Sequence, residues 1–305
     1  MPQSMSTVTT PSGPPGSPPV SDPVRDLFGG ALWASPLPIA PAEPDDGAAI
    51  DNHFHVFEAG QGVPGARYVP GYSATLAQWQ ACSQAAGVGR GVLVQTSFMG
   101  TDNRLLLQTL RAHPRTLRGV AVVSPTITTA QLAQLHDGGV RGIRLNLAGR
   151  SHEAGEWAAA QPLWDALGAL GWHVEVHTDV GGLPQALAWL PAHLPLVLDH
   201  MAKPDRVSAR DATVQAVLRR HRSSPVWVTL SGAYRLAGRP AAALARLWHA
   251  ELGPDHLLWG SDWPCTNHEE QADYPRLAHS LQEWLPEADW RRVRVANPAA
   301  LYGFE

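Results

Sequence analysis

Eight short runs rich in β-branched and aliphatic residues recur along the chain, most of them followed by an amphipathic stretch. This alternation constrains the fold more than any other feature. The runs are AIDNHFHVF, RGVLVQTS, RGVAVVSP, VRGIRLNL, GWHVEVHT, LPLVLDHM, PVWVTLSG and HLLWGSDW. Between them lie helix patterns such as SATLAQWQACSQAAG, DNRLLLQTLRAHP, TTAQLAQLHDGG and RPAAALARLWHAEL. In the first of these, Ser73 stands where an N-cap belongs, and Leu76, Trp79 and Cys82 to Ala86 fall on one face. Strand-then-helix alternation predicts parallel β/α units. Eight units fit a (β/α)8 barrel, which takes about 250 residues. A doubly wound open sheet is the other arrangement of such units, but no GxGxxG phosphate turn occurs.

The barrel is expected over residues 46–305. Residues 1–45, with stretches such as PSGPPGSPPV, carry too little apolar surface to offset their ordering entropy, so a disordered or loosely strapped tail is expected there. No apolar h-region marks it as a signal peptide. The 23 basic and 27 acidic residues leave a net charge of −4, which argues against a nucleic-acid partner. No apolar run reaches the roughly 18 to 20 residues of a membrane span. Cys82 and Cys265 cannot build a disulfide framework or a thiolate cluster, so a reducing, cytoplasmic setting is expected. The tryptophans on helix patterns, Trp79, Trp157, Trp164, Trp189, Trp248 and Trp284, mark either a sticky outer surface or helix-to-barrel packing. Oligomeric state is left open.

A barrel carries its chemistry at the C-terminal ends of its strands. Those ends present His53 and His55, Ser97, Arg144 and Asn146, His177, His200, the Ser231–Arg235 segment, and Asp262. Residues two apart share a face, so His53 and His55 can both point into the lumen. The same alternation turns Asp199 away from His200, toward a neighbouring helix. His173 and His193 fall at a strand start and in a loop, where structural or exposed roles are expected. His152, Glu153 and His268 lie in loops at the rim. Cys265 and His268 offer only two ligands. No HExxH or GxSxG occurs. Unpaired imidazoles and carboxylates are costly in a barrel core, so the surviving set of His53, His55, His177, His200 and Asp262 points to a polar, reactive centre.

DNHFHVF, VLVQTSFMGTDN, GVAVVSP, GVRGIRLN, LDHMAKPD, LLWGSDWP and NPAALYGF resemble, in order, the motifs of the amidohydrolase superfamily. Within it they are most similar to the lactonase branch typified by the 2-pyrone-4,6-dicarboxylate lactonases, with sugar-acid lactonases as cousins. The resemblance implies a hydrolase that opens a carboxylated lactone. It makes Asp262 the base that activates water, and His53, His55 and His200 the groups that polarise the carbonyl and hold the oxyanion. It also makes Arg144, Arg150 and Arg235 clamps for substrate carboxylates, with Ser97, Tyr68 and Lys203 as further contacts.

Four positions depart from that branch. His177 stands where it has a tyrosine, Lys203 where it has an arginine, Met99 where it has a histidine, and WPCTN replaces WPHPN. The branch works without a metal. His177 nevertheless brings His53, His55, His177 and Asp262 close to the mononuclear centre of metal-dependent relatives, so one divalent ion, Zn²⁺, is the alternative cofactor. Asn146 leaves no bridging ligand for a second metal. The same framework would also serve a metal-dependent decarboxylase of an aromatic or muconate-type acid, and a binding barrel without catalysis is the remaining reading.

Overall fold

The computed structural model describes residues 48–305; the tail expected over 1–45 lies outside the described residues. All eight runs form strands: β1 (Ala49–Phe54), β2 (Val88–Val94), β3 (Leu117–Ala121), β4 (Val140–Asn146), β5 (His173–His177), β6 (Leu196–Leu198), β7 (Val226–Leu230) and β8 (Leu257–Trp259). They pair in sequence order, each neighbour parallel to the last. The principal helices between and after them are α1 (Leu76–Ala85), α2 (Arg104–Ala112), α3 (Thr129–Asp137), α4 (Gln161–Leu170), α5 (Leu183–Leu187), α6 (Ala212–His221), α7 (Ala241–Leu252) and α8 (Tyr274–Trp284). The fold is the expected (β/α)8 barrel.

Local chemistry sets where the helices begin. Helix α1 starts one residue after Thr75, not Ser73. Thr75 and Gln78 cap each other's backbone N–H groups, while Ser73 Oγ accepts from Ala59 N at 2.9 Å. The same reciprocal box, Thr128 with Gln131, opens α3. The helix tryptophans pack inward: Trp79, Trp164, Trp248 and Trp284 are buried, and Trp157 and Trp189 are half-buried against the same core. A separate apolar cluster includes Ile50, Val92, Val120, Val197 and Leu258 from the strands. It is completed by Tyr302 and Phe304 from the C-terminal segment, and Phe304 lies under the Arg90 and Arg118 guanidiniums near the strand starts. The barrel floor is thus largely apolar, with Arg90, Arg118 and His173 at its edge. No helix among the described residues is long and apolar enough to cross a membrane.

The barrel closes differently from the way its other strands pair. Among the described residues β8 and β1 share no ladder; instead a single parallel bridge joins Phe54 to Trp263 beyond the end of β8. Asp262 N donates to His53 O and His55 N donates to Trp263 O, both at 2.8 Å. Asn52 Nδ2 donates to Trp259 O at 2.8 Å. This seam joins the His53–His55 strand to the segment bearing Asp262.

Candidate active site

The strand ends converge on a cavity of about 570 Å³. Its lining includes His55, Ser97, Arg144, Arg150, His177, His200, Lys203, Arg235, Tyr68 and Asp262, ten of the eleven positions singled out from the sequence. The eleventh, His53, is fully buried just beneath, its Nε2 3.7 Å from Asp262 Oδ1.

Asp262 is the hub. Its Oδ2 accepts from Arg235 Nε at 2.5 Å and from Tyr234 OH at 2.7 Å, and His200 Nε2 lies 3.8 Å away. Its Oδ1 faces His55 Nε2 at 3.4 Å. Burial alone would raise the Asp262 carboxyl, but the Arg235 guanidinium, helped by protonated His53, outweighs it and holds it well below the ordinary carboxylate range. The backbone here is left-handed, with φ of 57° at Asp262, a conformation that costs a non-glycine residue about 1–2 kcal/mol.

Each histidine has its own hydrogen-bond identity. His55 Nδ1 lies 2.7 Å from Val94 O and must donate to it, so in neutral His55 the Nε2 lone pair faces Asp262. Burial lowers His55, which favours that neutral form. His200 Nδ1 meets Ser231 Oγ at 3.0 Å, and burial holds its ring well below the usual imidazole range. His200 also opens a left-handed run through Met201, Ala202 and Lys203, with φ between 42° and 58°. Gly232 makes room for it, since a Cβ there would stand 2.6 Å from His200 Nδ1. His177 Nε2 accepts from Lys203 Nζ at 2.6 Å, while its buried Nδ1 has no hydrogen-bond partner. Burial and Arg235 push Lys203 down to about 8.

Under these groups lies a buried layer that was only partly foreseen. Asp199 does not turn outward to a helix. β6 ends at Leu198, and alternation fails where the left-handed turn begins, so the Asp199 carboxylate enters the lumen. Its Oδ2 accepts from Arg144 Nη2 at 2.9 Å and its Oδ1 lies 3.3 Å from His53 Nδ1. Glu175, from the middle of β5, stands 3.2 Å from Arg144 Nε and 3.4 Å from His53 Nδ1. Glu175 was missed, although HVEVH carried the signal: if His177 faces inward, so must Glu175 and His173. Burial would depress His53, yet Asp199 and Glu175 raise it to about 9. Burial and the charge of Asp199 lift Glu175 to about 8. Arg144, which borders the cavity, thus already holds two carboxylates.

The remaining positions form the rim. Tyr68 OH and Tyr72 OH both donate to Glu269 Oε1, at 3.0 and 2.7 Å. Asn146 Nδ2 donates to Ser97 Oγ at 3.0 Å. Five cationic side chains line the cavity, Arg67, Arg144, Arg150, Lys203 and Arg235, against the Asp262 carboxylate. Arg67, Arg150 and Lys203 have no carboxylate within ion-pair distance among the described residues. Arg67 was not anticipated. His173 is buried at the start of β5 with its ring against Tyr302, a structural place, and burial lowers it to about 4.

The donor set also fits a divalent cation. Ligand atoms of His53, His55 and Asp262 lie within 4.8 Å of one another, as do those of His53, Asp199 and His200. Both ring nitrogens of His53 lack a hydrogen-bond partner. Two imidazoles and a carboxylate match the borderline character of Zn²⁺.

Comparison with known proteins finds a family model and relatives that span the barrel. A family model described as amidohydrolase matches residues 50–304. The chain is 33% identical over 276 residues to a 2-pyrone-4,6-dicarboxylate hydrolase of Comamonas testosteroni, covering 83% of this chain and 90% of that protein. It is 29% identical to a 4-sulfomuconolactone hydrolase of Rhizobium radiobacter, covering 88% and 94%. Among solved structures, a probable 2-pyrone-4,6-dicarboxylic acid hydrolase from Acinetobacter baumannii, with citric acid bound, superposes with a TM-score of 0.76 at 31% identity. That match covers 84% of this chain and all of that one.

Proposed function

This chain belongs to the amidohydrolase family, and from that membership we propose that it is a lactonase: it opens a carboxylated lactone with a water molecule activated at Asp262. The observation that carries the reading is a pair of acceptors, His55 Nε2 and Asp262 Oδ1, 3.4 Å apart in a cavity otherwise rich in cations. What belongs against two acceptors this close is a cation, or a water on the cavity side that donates one hydrogen to each. A water there is oriented by both, with its lone pair free to attack an acyl carbon.

Substrate carboxylates bind to the unpaired cations, Arg150 and Lys203 foremost, with Arg67 beside them. In the resting site Asp262 is too tightly held to be a strong base. Arg235 borders the same cavity, and a substrate carboxylate that takes up part of its guanidinium raises the proton affinity of Asp262 when it is needed. Asp262 then accepts a proton as the water oxygen bonds to the acyl carbon. Protonated His53, its Nδ1 side held by Asp199 and Glu175, offers Nε2–H to the developing oxyanion. The ring C–O bond breaks as the tetrahedral species collapses, and the leaving oxygen takes the proton back from Asp262. A divalent ion held by His53, His55 and Asp262 would supply Lewis acidity and a bound water with a pKa near about 7.

The test is proton release in a pH-indicator assay with 2-pyrone-4,6-dicarboxylate, muconolactones and sugar-acid lactones, on protein prepared with and without chelator. Ring opening of a carboxylated lactone is expected. Activity that survives chelation assigns the chemistry to Asp262 and the histidines alone; loss on chelation with recovery on Zn²⁺ assigns it to the loaded site. Silence on every lactone together with CO₂ release from an aromatic or muconate-type acid would replace the lactonase reading with a decarboxylase.

A further inference from the structure

Asp51 lies two residues before His53, and strict alternation would turn both into the lumen. A register irregularity between Asp51 and Phe54 turns the Asp51 carboxylate instead toward the outer helices. There Trp79 Nε1 from α1 donates to it at 3.1 Å and Tyr274 OH from α8 at 2.9 Å. Its other partners belong to the seam. Ser261 N donates to Asp51 Oδ1 at 2.8 Å, Ser261 Oγ donates to Oδ2 at 2.6 Å, and His53 N reaches Oδ1 at 3.2 Å.

Three consecutive N–H groups around Asp262 are fixed in this way. Ser261 N is held by Asp51. Asp262 N is held by His53 O at 2.8 Å. Trp263 N is held at 3.0 Å by Ser261 Oγ, which is itself anchored on Asp51. The residue so bracketed has φ of 57°. A non-glycine residue stays in that region only where its surroundings over-determine it. Gly260, just before, completes the fit, since a Cβ there would meet His53 Cβ at 2.7 Å.

We propose that Asp51 is a positioning residue for Asp262: from the outer side of the barrel wall, through Ser261, it holds the backbone that aims the Asp262 carboxylate between Arg235 and the histidines. One carboxylate thereby ties the histidine strand and the aspartate loop into a single rigid unit. The inference rests on the reading of Asp262 as the group that activates water.

The experiment combines kinetics, stability and structure on the full chain. Asp51→Asn and Ser261→Ala are expected to lower kcat by about a hundredfold, the scale of an ångström-sized misplacement, with little change in KM. Trp79→Phe removes a donor from the same carboxylate but leaves Ser261 untouched; it is expected to lower Tm and leave kcat unchanged. In an Asp262→Asn background, adding Asp51→Asn should cost nothing further. Folded Ser261→Ala with wild-type kcat, or an Asp51→Asn effect that adds in full to Asp262→Asn, would overturn the proposal. Should Asp51→Asn fail to fold, Ser261→Ala carries the test, since it deletes one hydroxyl and keeps Asp51. If the wild-type protein opens no lactone, the functional reading fails separately, and crystal structures of wild type and Ser261→Ala decide the positioning. The Asp262 carboxylate leaving Arg235 supports the proposal, and an unmoved carboxylate overturns it.

Discussion

Asp51 and Asp262 are both buried and both take a tyrosine hydroxyl, yet the charge around them differs. Outside the wall, Asp51 meets only uncharged donors: an indole, a phenol, a hydroxyl and two amides. Burial pushes its carboxyl up, against those hydrogen bonds. Inside, Asp262 meets the Tyr234 hydroxyl and also the Arg235 guanidinium and protonated His53, whose charges drive it well below the usual range. Neutral donors fix where a carboxylate sits, whereas charges fix how readily it takes a proton. The molecule separates the two tasks across the thickness of one strand.

The largest expected effect lies on the inner side. Asp262→Asn keeps the shape and removes the base, so kcat should fall by about 10²–10⁴-fold with KM little changed; steady-state kinetics on a lactone substrate checks this, and near-wild-type turnover breaks the inner assignment. Next comes Arg235→Gln, which would bring the two carboxylates closer in character. Arg235 is the largest influence that lowers Asp262, so without it the folded-state pKa rises. The stability and activity that depend on ionised Asp262 are present above its pKa and lost as pH falls through it. The acid limb of the kcat profile should therefore move to higher pH. An unshifted limb would mean that the imidazoles, not Arg235, set the proton affinity. The smallest effect belongs to the outer side: Tyr274→Phe removes one hydrogen bond to Asp51, so urea denaturation should show a loss of about 1 kcal/mol with kcat unchanged.

The barrel and the convergence of its strand ends were legible in the sequence because eight strand-then-helix units recur and period-two alternation holds within β4 and β5. Legibility failed where alternation does. Asp199 follows the last residue of β6 and enters a left-handed turn, so its predicted outward direction reversed. Asp51 was hidden by the irregularity in β1, and its partner Ser261 lies 210 residues away with no periodic signal to connect them. Glu175 was a different case, since the pattern was present and was not followed one step back from His177. Arg144 shows the limit of resemblance: its place at the cavity was foreseen, but not the two carboxylates it already binds.

The seam has a consequence for the order in which the protein assembles. Its contacts join residues 207 and 210 positions apart, so they form only after the intervening chain has been gathered in, and they are the slowest kind to nucleate. Seven interfaces between strands are zipped by ladders, whereas the eighth is fastened at a few points. Activity is thus acquired late in folding, once the two ends of the barrel wall have met.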